Sequence, residues 1–107
     1  VTPPDSRLIP DRDEFNVAHI ARHGVTPEQV EEVYYGEGPL PTLGVRITRR
    51  TPSGMREERY RLWGTDAAGT FLEVIVAVYP RFEAWRCVTA YRMSEAARQA
   101  YLRRIRR

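Results

Sequence analysis

His23 stands between Arg22 and Gly24, where one apolar-periodic segment ends and Val25-Thr26-Pro27-Glu28 opens another. An imidazole changes charge near neutral pH, so it is suited to moving protons there. At a helix C-terminus the same ring also meets a favourable dipole field, and capping is the plainer account of it. Arg59 and Arg61 lie two apart in an alternating segment, which puts both guanidiniums on one strand face. There they could grip a phosphate bidentately, or they could simply solvate the sheet. Tyr91 offers a face for stacking on a base and a phenolic proton; its plainer role is to fill the sheet.

Other reactive residues read as structural. Cys87 lies among Trp85, Val88 and Ala90 in an apparent strand, as a buried thiol rather than a nucleophile. A single cysteine makes no internal disulfide, so nothing points to an oxidising compartment. Two histidines and one cysteine lack any ligand spacing, so neither a metal nor a cofactor is expected. His19, one turn before His23, is expected to pack against the sheet, and Tyr101 to lie in the core.

These residues need a scaffold, and 107 residues make one domain with a modest core. No apolar run reaches the roughly 20 residues of a membrane span. The first residues have neither a basic n-region nor an apolar stretch, so no signal peptide is expected. A cytoplasmic location without membrane contact is expected. All 17 basic residues are arginine and the net charge is +3. Arginine suits phosphate contact and stacking on bases, and it offers no titratable amine. Such a surface fits a polyanionic partner, or is this chain's ordinary surface cation.

Residues 1–13 carry prolines and acids without periodicity and read as a flexible N-terminal arm; residues 14–107 form the single domain. Two helices are predicted, over 14–23 and 27–36. Gly24 stops the first, while Thr26, Pro27 and Glu28 start the second. Val30, Val33 and Tyr34 give that helix an apolar stripe. The alternating stretch 43–50 predicts a half-buried strand, followed by a turn at Pro52-Ser53-Gly54. "REERYRLWGT" places Tyr60 and Leu62 on one face and Arg59, Arg61 and Trp63 on the other. Asp66-Ala67-Ala68-Gly69 is a hairpin turn, "TFLEVIVAVYP" a central strand, and "AWRCVTAYRM" a fourth strand. Ser94 caps a final helix with Met93, Ala97, Ala100, Tyr101 and Ile105 inward. The expected fold is α+β: two N-terminal helices, an antiparallel sheet of three or four strands, and a C-terminal helix. Helices cover one sheet face and leave the other available.

The segments "HIARHGVTPEQVEEV", "RYRLWGTDAAGTFLEVIVAVY" and "VTAYRMSEAARQAY" together resemble the BrnT-like toxins of bacterial type II toxin–antitoxin systems, small proteins of the RelE/ParE-like superfamily. Arg22, His23 and Gly24 match the first motif; Arg59, Gly64, Thr65 and Gly69 the second; Thr89, Ala90, Met93 and Tyr101 the last. The resemblance covers roughly residues 14 to 104. It departs at Tyr91, where the family often carries Arg, and in the long stretch from Gly36 to Glu58. It implies a RelE-like fold and a metal-independent mRNA endoribonuclease, acting free or on the ribosome and neutralised by a cognate antitoxin. Such cleavage uses the neighbouring 2′-OH as nucleophile and needs a base, an acid and cations for the phosphorane charge. On this reading His23, Arg59, Arg61 and Tyr91 are catalytic. Arg22, Arg86, Arg92, Arg98, Arg103 and Arg104 contact RNA. Tyr91 in place of Arg keeps an alternative open: a non-catalytic toxin-like module that binds a protein or nucleic acid.

Overall fold

A computed structural model describes residues 5–50 and 56–106. The elements, in order, are β1 (Ile9–Pro10), α1 (Val17–Ala21), α2 (Pro27–Tyr34), β2 (Leu43–Arg50), β3 (Arg56–Thr65), β4 (Phe71–Tyr79), β5 (Ala84–Arg92) and α3 (Glu95–Ile105). One five-stranded sheet runs β1-β5-β4-β3-β2, with β4 in the middle. The chain is therefore α+β, but the sheet is mixed rather than purely antiparallel: β1 runs parallel to β5. The turn expected at Pro52-Ser53-Gly54 lies outside the described residues.

Two expectations about the N-terminal region need correction. Along its described part the arm is tied down. Ile9 and Pro10 pair with Ala84 and Trp85, and Leu8 is buried. Two tyrosines of the second helix and its C-cap hold it there. Tyr34 donates to the Asp5 carbonyl and Tyr35 to the Leu8 carbonyl, both at 2.7 Å. The first helix is also much shorter than expected. Residues 12–14 form a separate 3-10 turn, and α1 has five residues. Asn16 gives no side-chain cap, so nothing extends the helix backward.

The second helix is fixed by local chemistry. Thr26 accepts from the Gln29 backbone N–H, and Gln29 reaches back to the Thr26 N–H, a closed capping box with Pro27 in the first turn. Val30, Val33 and Tyr34 are buried as the stripe requires. They meet Leu62, Leu72, Val74, Val76, Trp85 and Cys87 from the sheet. Trp85 is the centre of this core: it stacks on Tyr34 at 4.0 Å and tilts against Phe15 at 5.1 Å. Gly64 permits the close approach of helix and sheet. A Cβ there would stand 2.7 Å from Thr42 Oγ1 and 3.2 Å from Val33 Cγ1. Cys87 is a free buried thiol, pushed up to about 12 by burial.

Gly24 makes the reversal between the first two helices with φ of +73°. A Cβ would meet nothing within 4 Å, so the demand is conformational rather than steric. Gly24→Ala is expected to cost about 1 kcal/mol from the left-handed backbone alone. Urea denaturation measures this; unchanged stability would mean that the turn does not need its glycine.

The third helix corrects the expectation that all helices share one face. Its cap is as expected, with Ser94 Oγ accepting from the Ala97 N–H at 3.1 Å. Buried Tyr101, however, meets the Phe71 ring edge-on at 5.9 Å and donates to the Pro41 carbonyl. Phe71 alternates with buried Leu72, so it lies on the face opposite α1 and α2. The last helix thus closes one end of that second face.

Candidate functional site on the open sheet face

Strand register sets out the open face in rows. Pairing aligns Arg59, Ala77 and Arg86 in one row and Arg61, Ile75 and Thr89 in the next. The third row is Trp63, Glu73 and Tyr91. A register shift between Ile75 and Val76 makes this possible, because Val88 is the extra residue of a β-bulge in β5. Before the bulge Trp85 and Cys87 point to the core; after it Ala90 does. Strict alternation would have sent Tyr91 inward with Trp85 and Cys87. The bulge turns it outward, and Arg92, one residue on, takes the opposite face.

In the third row one carboxylate holds two rings. Trp63 Nε1 donates to Glu73 Oε1 at 2.6 Å, and the Tyr91 hydroxyl donates to Glu73 Oε2. That hydrogen bond, followed by burial, pushes the Tyr91 hydroxyl up to about 12, against the pull of the Arg61 charge. The Arg61 guanidinium lies 5.2 Å from the Trp63 ring centre, and Arg104 of α3 lies 5.3 Å from the same ring. His23 reaches this group from the end of α1. Its ring is edge-on to Tyr91 at 5.9 Å and to His19 at 5.2 Å. His23 is exposed and His19 half-buried, so His19 forms the inner side of the pair.

The first row is differently arranged. Arg59 is ion-paired with Glu57, whose other oxygen accepts from Tyr79 at 3.2 Å and from Arg86 at 3.5 Å. Arg86 also donates to the Tyr79 hydroxyl at 2.9 Å. The Glu57 and Arg59 side chains are only 11% and 17% exposed. Burial by itself raises the Glu57 carboxyl. The hydrogen bond from Arg59 and the charges of Arg59 and Arg86 outweigh it and hold the group below its usual range. Glu57 thus engages both Arg59 and Arg86, with Arg59 the closer partner, whereas Arg61 lies over a ring beside Tyr91.

The remaining arginines divide by place. Arg22 is the exposed C-cap of α1, and Arg92 is exposed at the end of β5. Arg98 lies 4.4 Å over the Phe71 ring. Arg103 and Arg106 are exposed beside Arg104. The structure thus brings together His23, Arg61, Tyr91 and Arg104, and sets Arg59 and Arg86 one row away from Arg61. Sequence reasoning missed Glu73 and gave His19 no part in a site. Glu73 carried a signal: it is the one charged residue in "FLEVIVAVY". Among the described residues, no three His, Cys, Asp or Glu side chains converge to hold a metal ion.

Exposed Arg103 and Arg106 flank Arg104 and extend the positive charge along the end of α3. If these arginines meet a polyanion, as the arginine-only charge leads one to expect, replacing all three with Ala should weaken binding of single-stranded RNA used as the probe. Its salt dependence should flatten by about 0.7 in slope for each phosphate that the helix end no longer neutralises. Binding measured across ionic strengths gives the slope. An unchanged slope makes the cluster a solvated helix end.

The fold and this face define an α+β protein with two helices on one side of a five-stranded sheet and a polar, ring-bearing surface on the other. No protein-family model, curated protein or solved structure matches the chain. Among the described residues no helix is long and apolar enough to cross a membrane.

Proposed function

We propose that this chain is the toxin of a bacterial type II toxin–antitoxin pair: a BrnT-like, RelE-type endoribonuclease that cuts mRNA without a metal, in the cytoplasm, free or on the ribosome. The observation that carries the reading is the convergence of His23, Tyr91 and Arg61 at one end of the open face. An imidazole can protonate the leaving 5′-oxygen, a guanidinium can take the phosphorane charge, and aromatic rings can hold a splayed base. The cognate antitoxin would neutralise the protein by covering this arginine-rich face.

Purified protein incubated with single-stranded RNA and a chelator tests the reading. Products ending in 2′,3′-cyclic phosphate and 5′-hydroxyl are expected, together with growth arrest on induced expression. Intact RNA and normal growth would overturn it. A second reading, a binding module that does not cut, is favoured by one feature: Arg59, a family-matched cation, is already paired with Glu57. On that reading RNA binds and stays whole.

A further inference from the structure

The carboxylate at the middle of the third row has two oxygens, and each accepts from one half-buried ring donor. Glu73 sits on the central strand, flanked by Trp63 of β3 and Tyr91 of β5. Because Tyr91 donates its proton to Glu73, its oxygen keeps lone pairs free to accept from a group arriving on the open face. The charged and titratable groups around the pair are Arg61 from β3, His23 from the end of α1, and Arg104 from α3 over Trp63. Around Tyr91 the face therefore places a proton acceptor behind the phenol, an imidazole at its edge, and a cation one row away.

We propose that Glu73 is a positioning residue that drives the base step through Tyr91: the RNA 2′-OH gives its proton to the Tyr91 oxygen as Tyr91 gives its own to Glu73. This rests on the nuclease reading above and names the group that reading leaves open. The step balances. The 2′-O–H bond breaks, the 2′-oxygen bonds to phosphorus, and the P–O5′ bond breaks. The leaving 5′-oxygen takes a proton from the His23 imidazolium. Glu73 ends protonated, Tyr91 unchanged and His23 neutral. Tyr91 never becomes a free phenolate, so its hydroxyl, held up to about 12, is no obstacle to the relay. The other Glu73 oxygen fixes the Trp63 ring, which keeps the stacking surface in register with the relay.

Glu73→Gln tests this, because a Gln carbonyl can still accept from Trp63 while its amide offers Tyr91 no sink for a proton. The variant should fold with an unchanged circular dichroism spectrum and keep its KM. It should lose about 10²-fold or more in kcat, within the range for a positioned proton-transfer group. The low-pH limb of the rate profile should disappear, which a merely structural carboxylate would not cause. Tyr91→Phe keeps the ring and cannot relay, so it should lose a similar factor, and the double variant should be no slower than the worse single one. Wild-type rates in Tyr91→Phe, or an intact low-pH limb in Glu73→Gln, would overturn the relay while leaving the nuclease standing. A wild-type protein that cuts no RNA would overturn the nuclease reading and the relay with it.

Discussion

Arg61→Ala is expected, on the proposed nuclease reading, to slow RNA cleavage by about 10²–10³-fold, the usual loss when a donor to transition-state charge is removed. The fold should survive the change, because Arg61 is half-exposed on the open face and its paired neighbours are Val45 and Ile75. Arg59→Ala is expected to cost less in rate. Its guanidinium is already engaged by Glu57, so it is less available to a phosphate. Removing it should instead show in stability, because it leaves a mostly buried Glu57 with the more distant Arg86 and the Tyr79 hydroxyl. Single-turnover cleavage and thermal unfolding of the two variants separate these outcomes. Equal rate losses would mean that both arginines meet the phosphate and that the Glu57 pair opens on binding. Full activity in Arg61→Ala would remove that residue from the chemistry.

The difference between two arginines on one strand face shows where sequence reading stops. Alternation in "REERYRLWGT" put Arg59, Arg61 and Trp63 together, and the structure has them so. It could not show that Glu57, two residues earlier on the same face, neutralises Arg59 and not Arg61. The capping residues Thr26 and Ser94 and the turn at Asp66–Gly69 were legible because each makes its defining hydrogen bond to a backbone N–H close in sequence. Asp66, for instance, accepts from the Thr70 N–H at 2.8 Å, and Gly69 has φ of +89°. The pairing of Ile9 and Pro10 was not legible. Two residues show no period, and what holds them is Tyr34, Tyr35 and Trp85, far along the chain.

The bulge at Val88 mattered most for the site and was the least visible. Nothing in "AWRCVTAYRM" marks an extra residue, yet it decides that Tyr91 faces out beside Glu73 rather than in beside Cys87. Glu73 itself was legible in principle as a lone acid in an apolar strand. Its significance depends on Trp63 and Tyr91 lying on either side, which only the strand order supplies. The placement of α3 was likewise tertiary. Its stripe was readable, but not that Tyr101 would pack on Phe71 instead of the main core.

His23 is where local and functional accounts diverge most. Gly24 ends the first helical segment whether or not the imidazole acts, and capping needs nothing further from it. The edge contact with Tyr91 is what capping does not require. If His23 is the general acid, its loss should cost about 10²–10⁴-fold in rate, with little effect on folding because the side chain is exposed. If it only ends a helix, the rate should hardly move.

The pH dependence of RNA cleavage by the wild-type protein and His23→Asn, measured side by side from about pH 5 to 8, is therefore the most direct measurement. An acid must be protonated to act, so the wild-type rate should fall as pH rises across that range. His23→Asn should be slow throughout and lack that fall. A wild-type rate that is flat across the range, matched by His23→Asn, would contradict an acid–base site on this face.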